Sequence, residues 1–171
     1  MSDLKDKVLL IGMPGCGKTT IGKLLATELN YNFCDMDKYI EDISGETVKE
    51  LFEKGEENFR KWENKACVQL SKKRRVIISS GGGVIKNEKN IDLFKNGSII
   101  IFIDRDVDNI IEDVNIETRP LLSSGKERLY NLFFERYKGY NKYCNIKIVN
   151  NGFLKDVILE IQKELKEIIK K

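Results

Sequence analysis

Chemistry is concentrated near the N-terminus, where Gly12-Met13-Pro14-Gly15-Cys16-Gly17-Lys18-Thr19 satisfies the pattern GxxxxGK[ST]. Glycines at these spacings let successive backbone N–H groups turn inward around phosphate oxygens, and a helix opening where the loop ends adds partial positive charge. Lys18 is spaced to reach the outer phosphates of a nucleotide, and the Thr19 hydroxyl to coordinate Mg²⁺. The candidate nucleotide-binding residues are therefore Gly12, Pro14, Gly15, Cys16, Gly17, Lys18, Thr19 and Thr20. The alternative is a glycine-rich strand-to-helix turn that binds nothing. Context argues against it: the apolar run Val8 to Ile11 stops at Gly12, and Ile21, Leu24, Leu25 and Leu29 then recur at helical spacing. Cys16, at a helix start, could gain thiolate character, but a small filler side chain is the favoured role.

A phosphate loop names a nucleotide and not an acceptor. Asp35 and Asp37 flank Met36 at the end of an expected second strand, Tyr31 to Met36. Strand periodicity would point both carboxylates the same way, toward the sheet edge where ligands bind. The stretch Ile77-Ile78-Ser79-Ser80-Gly81-Gly82-Gly83 lacks the aspartate that often ends the third strand of phosphate-loop proteins, so Asp35 is the candidate metal-binding carboxylate. Asp37 is then the candidate to orient an attacking hydroxyl or accept its proton. The competing reading is that both merely cap the next helix.

Arg60, in Glu57-Asn58-Phe59-Arg60-Lys61-Trp62-Glu63, is one of few arginines in a lysine-rich chain; its planar fork suits a carboxylate as lysine does not. Glu63, one helical turn on, is placed to hold that guanidinium. Gly81, Gly82 and Gly83 allow close backbone approach to a ligand, Arg136 is a candidate second carboxylate ligand, and Arg119 before Pro120 is suited to swing over transferring phosphate. Each of these also has an ordinary structural explanation: a surface ion pair for the arginines, a turn for the glycines.

These residues need a scaffold that gathers them at one edge. Strands are expected at Val8–Ile11, Tyr31–Met36, Val76–Ser79, Ser98–Ile103 and Ile146–Val149. Helical patterns fill the gaps, including mixed helical sequence to about Ser71, Lys126–Tyr143 and Phe153–Ile169. Alternating strands and helices imply an α/β fold, a parallel sheet covered on both faces. Residues 115–125, with Arg119, Pro120 and Gly125, are the expected mobile lid, taken as 113–125 with its approach; residues 34–63 form the acceptor-binding segment.

At 171 residues the chain fits a single domain. Its 30 basic and 27 acidic residues are too balanced and dispersed for a nucleic-acid surface, and no apolar run approaches bilayer length. The first residues lack an export signal, so the cytoplasm is the expected location. Four scattered cysteines and no histidine exclude a zinc site and any imidazole base, leaving reduced thiols.

Taken jointly, GMPGCGKTTIGKLLA, DMD, FRKWE, GGGV, RPLL and ERYKGY occur in this order and at separations that resemble the shikimate kinases over essentially the whole chain. The resemblance implies a three-layer α/β/α fold of the nucleoside-monophosphate-kinase type, five parallel strands ordered 2-3-1-4-5. It also implies a monomer that uses ATP and Mg²⁺ to phosphorylate the 3-hydroxyl of shikimate, a step toward chorismate and the aromatic amino acids. On that resemblance Asp37, Arg60, Glu63, Gly81, Gly82, Gly83 and Arg136 hold shikimate, with Arg60 and Arg136 on its carboxylate. Lys18 and Arg119 act at the phosphates beside Asp37, and Thr19 and Asp35 match the magnesium positions. The chain departs from the family pattern where Glu112 to Thr118 and Asn150-Asn151-Gly152 lack the arginines, and the latter the proline, usual near the adenine. Competing readings are a gluconate or nucleotide kinase and a non-catalytic nucleotide-sensing module. The acceptor motifs speak against the first, and the joint presence of Lys18, Thr19, Asp35, Asp37 and Arg119 against the second.

Overall fold

In the computed structural model residues 4–113 and 125–169 are described. Strands β1 (Lys7–Ile11), β2 (Asn32–Asp35), β3 (Val76–Ser79), β4 (Ile99–Asp104) and β5 (Ile146–Val149) form one parallel sheet, in the expected order β2-β3-β1-β4-β5. The central strands β1, β3 and β4 are buried almost throughout, so their sequences read as continuous apolar runs. Leu9 pairs with Ile78 on one side and Ile100 on the other, at the middle of this core. Helices α1 (Lys18–Leu29), α2 (Met36–Ser44), α3 (Val48–Glu53), α4 (Glu56–Leu70), α5 (Glu88–Lys95), α6 (Val107–Asp113), α7 (Lys126–Tyr143) and α8 (Leu154–Leu165) complete the described elements, with a 3₁₀ turn at Val84–Lys86.

Local chemistry sets the boundaries. The turn from β1 into α1 passes through Gly12 at φ 148°, where a Cβ would lie 2.6 Å from the Ile103 carbonyl oxygen, so both backbone angle and space require glycine. α3 opens on a capping box between Thr47 and Glu50. The second strand is shorter than its sequence suggested. Asp35 Oδ1 accepts hydrogen bonds from the backbone N–H groups of Asp37 and Lys38, which caps α2 and ends β2 before Met36. Asp35 and Asp37 are thus not alternate strand residues: the first is the strand's last residue and helix cap, the second lies in the first turn of α2. β4 runs one residue later than expected, and the C-terminal helix ends at Leu165. The region after β2 resolves into three helices, with α4 packed against α2 and α3. α7 is drawn onto β4 by the Tyr140 ring, fully buried and stacked on Phe102 at 5.1 Å.

Of the expected lid, only Asp113 and Gly125 fall within the described residues. All four cysteines are free. Among the described residues no helix is long and apolar enough to cross a membrane.

Candidate active site

The phosphate loop lies at the carboxyl edge of β1. Lys18 is buried, and its Nζ donates to the carbonyl oxygens of Gly12 at 2.9 Å and Met13 at 2.8 Å, which poises the ammonium at the floor of the loop. Cys16 is fully buried, its Sγ 3.7 Å from that nitrogen, in keeping with a filler. The side-chain amide of Asn150, after β5, donates to the Cys16 carbonyl at 2.8 Å and ties the loop to the far side of the sheet. Thr19 Oγ1 donates to Asp35 Oδ2 at 3.1 Å and lies 3.2 Å from Ser79 Oγ. The two residues chosen for magnesium are therefore adjacent, and Ser79 joins them where β3 ends without a carboxylate. Thr20 sits beside Thr19 on the exposed start of α1.

Next to the loop opens a second cavity of about 220 Å³, walled by α3, α4, α7 and the glycine segment. Asp37, Arg60, Glu63, Gly81, Gly82, Gly83 and Arg136 all line it, as does Pro14 of the phosphate loop. Each glycine gives way to a particular side chain. A Cβ would stand 3.0 Å from Asp37 Oδ1 at Gly81, 2.8 Å from Pro14 Cδ at Gly82, and 2.4 Å from Arg60 Nη2 at Gly83. Tyr140 fixes this segment by donating its hydroxyl proton to the Gly82 carbonyl at 2.5 Å. Phe52 and Phe59, stacked at 4.3 Å, form the apolar wall, with the Arg60 guanidinium 5.2 Å from the Phe59 ring.

Charge in the cavity is organised around Arg60. Its Nη1 donates to both oxygens of Glu63, at 3.0 and 2.9 Å, and the Glu63 side chain is only 1% exposed. Its Nε and Nη2 reach Glu56. Burial works against the Arg60 charge, but Glu63 and Glu56 outweigh it and hold the guanidinium above its ordinary pKa. Burial pushes the Glu63 carboxyl up, with Arg60 pulling the other way. Asp37 opens onto the cavity, yet the surrounding protein desolvates it; that effect and the nearby Asp35 raise its pKa, while Lys18 and Arg60 hold it down. Arg136 projects from α7, largely buried, and its Nε has no hydrogen-bond partner among the described residues; the Glu135 carboxylate is 3.9 Å away. The guanidinium also stands beside the Tyr140 hydroxyl and the Glu63 carboxylate, and the unpartnered Nε leaves it room for an anion in the cavity.

Arg119 lies outside the described residues. Several groups escaped the sequence reading: Glu56, Lys86, Phe52 and Leu132 in the cavity, Ser79 beside Thr19, Asn150 behind the loop, and Tyr140 behind the glycines. Glu56 carried a usable signal, one helical turn before Arg60. Asn150 and Tyr140 did not, because their partners are distant in sequence. Arg105, just after β4, donates to the Asn150 carbonyl at 2.6 Å and pairs with Asp113, so an arginine does approach the first residue of the expected lid from another element.

A glycine loop opening into a helix, its Lys18 and Thr19, and an adjoining cavity with two guanidinium groups on a 2-3-1-4-5 sheet define a P-loop kinase acting on a small molecule. The family model for shikimate kinase matches residues 14–166. A shikimate kinase of Clostridium botulinum (strain Alaska E43 / Type E3) is 51% identical over 160 residues, 94% of this chain and 97% of its own. One from Clostridium beijerinckii is 50% identical over 166 residues, covering 97% and 96%. The solved shikimate kinase from Acinetobacter baumannii in complex with shikimate superposes with a TM-score of 0.88 at 29% identity, covering 97% of this chain and 96% of that one. The chain belongs to the shikimate kinase family.

Proposed function

We infer that this enzyme transfers the γ-phosphoryl group of ATP to the 3-hydroxyl of shikimate, giving shikimate 3-phosphate and ADP on the route to chorismate. The observation that carries the acceptor assignment is the pair Arg60 and Arg136 facing one cavity, beside the phosphate loop, with Asp37 on the same wall. Two guanidinium groups suit a carboxylate, and the Phe52–Phe59 wall suits the apolar face of a ring.

Backbone N–H groups between Gly15 and Thr19 cradle the phosphates, and Lys18 exchanges its carbonyl partners for phosphate oxygens. Thr19, Asp35 and Ser79 offer a small oxygen cluster that fits Mg²⁺, an ion that keeps several waters and takes few protein ligands. Bound there, Mg²⁺ would neutralise phosphate charge. Asp37 orients the 3-hydroxyl and accepts its proton as the oxygen bonds to phosphorus and the bond to the ADP oxygen breaks. Its raised pKa brings it toward the operating pH, as suits a proton acceptor. Arg119, in the 113–125 lid, closes over the transferring group. Catalysis is then positioning and charge stabilisation in a drier site. The enzyme acts as a single-domain monomer in the cytoplasm, where its free thiols stay reduced.

Identifying the product by phosphorus NMR after incubation with ATP, Mg²⁺ and shikimate tests the assignment. A phosphomonoester coupled to the proton at carbon 3 supports it; phosphorylation at another hydroxyl removes the proposed placement of Asp37.

A further inference from the structure

The subsite assigned above to the acceptor carboxylate already holds a carboxylate. Glu56, in the first turn of α4, accepts at Oε1 from Arg60 Nε at 3.2 Å and Nη2 at 3.0 Å. That is the side-on edge a guanidinium offers a bound carboxylate. Of the three guanidinium nitrogens, Nη1 serves Glu63, and Nε and Nη2 serve Glu56. An acceptor carboxylate that takes the Nε–Nη2 edge of Arg60 must displace Glu56.

The two carboxylates on Arg60 are not equivalent. Glu63 is 1% exposed and fixed, whereas Glu56 is 49% exposed and already shared with Lys86, whose Nζ lies 2.8 Å from the same oxygen. Lys86 ends the 3₁₀ turn on the opposite wall and is itself partly exposed. Glu56 can therefore leave Arg60 without losing all cationic company, and Arg60 keeps its orientation from Glu63 and from Gly83 behind it.

We propose that Glu56 is a displaceable occupant of the acceptor-carboxylate subsite: it covers Arg60 in the empty enzyme and swings onto Lys86 when an anionic acceptor arrives. Glu56 and Lys86 thereby set acceptor affinity from outside the contact itself. This rests on the assignment of Arg60 to the acceptor carboxylate.

Calorimetric titration of shikimate into the intact enzyme, its E56Q and K86M variants and the double variant tests the exchange. Because Glu56 is an exposed competitor, its neutralisation should tighten shikimate about two- to fivefold. K86M should weaken shikimate in the parent by a similar factor, because Glu56 loses its second partner, and should have little effect in the E56Q background. Unchanged or weaker binding to E56Q overturns the proposal. So does a K86M penalty of the same size in both backgrounds, which would make Lys86 a direct acceptor contact. If the parent protein itself takes no shikimate while binding ATP, the acceptor assignment fails, and the exchange with it.

Discussion

Replacing Arg60 by methionine keeps the bulk of the side chain and removes its charge. Glu63, whose side chain is 1% exposed, then loses both hydrogen bonds from Nη1, at 3.0 and 2.9 Å. Breaking a buried pair by removing one partner costs ~3–5 kcal/mol, since the remaining charge stays uncompensated. Arg60 is 20% exposed, so water reaches the vacated site and the lower end, about 3 kcal/mol, applies. At ~2–4 °C per kcal/mol for a chain of this length, Tm falls by about 6–12 °C. The loss depends on pH. Burial already holds the Glu63 carboxyl above its ordinary range, and without Arg60 it rises further. A carboxyl whose folded pKa exceeds its unfolded value contributes stability that is complete below the unfolded pKa and is lost as pH rises through the folded one. The R60M deficit is therefore larger at about pH 8 than at about pH 5.5. The double variant R60M/E63Q removes the orphaned charge and recovers most of the Tm, yet does not recover shikimate binding. Circular-dichroism melts at both pH values, with shikimate titrations alongside, measure this. A Tm for R60M within ~2 °C of the parent at both pH values, or a double variant no more stable than R60M, refutes the reasoning.

Three further outcomes are expected. K18A should fold and lose about 10²–10³-fold or more in kcat, because the ammonium held at 2.8–2.9 Å from the loop carbonyls has no substitute; near-parental kcat would remove Lys18 from the reaction. Turnover should fall as pH drops through the raised pKa of Asp37, which must be ionised to take the proton, and D37N should lower kcat about 10²–10⁴-fold and lose that acidic limb in a pH–rate profile. G83A places a Cβ 2.4 Å from Arg60 Nη2, so the guanidinium must shift; shikimate KM should rise well before ATP KM does, which steady-state kinetics with each substrate varied will show.

Much of this site was legible in the chain because its parts are local. The phosphate loop is a contiguous pattern whose mechanism demands a strand before and a helix after, and both are present. Glu63 follows Arg60 by one helical turn, so the pair could be read from spacing alone. Asp35 and Asp37 both lie at the sheet edge, as strand periodicity predicts, but a different geometry puts them there. Periodicity alone carries the strand through Met36, whereas the Asp35 side chain captures the N–H groups of Asp37 and Lys38 and starts the helix there. What stayed hidden joins elements far apart in sequence: Asn150 on the Cys16 carbonyl, Tyr140 on Gly82, Ser79 beside Thr19, Lys86 on Glu56. No local pattern encodes such pairings; they exist only once the parallel sheet has brought the carboxyl ends of its strands together.

If one cavity selects shikimate as the acceptor of the ATP phosphoryl group, other small hydroxylated acceptors should fail in its place. ADP release coupled to a spectrophotometric readout, in ATP and Mg²⁺, with shikimate, gluconate and nucleoside monophosphates offered in turn, tests it most directly. Turnover should depend on shikimate and be absent with the others. Turnover with gluconate or a nucleotide in place of shikimate would keep the phosphate loop in its role and contradict the assignment of Asp37, Arg60 and Arg136.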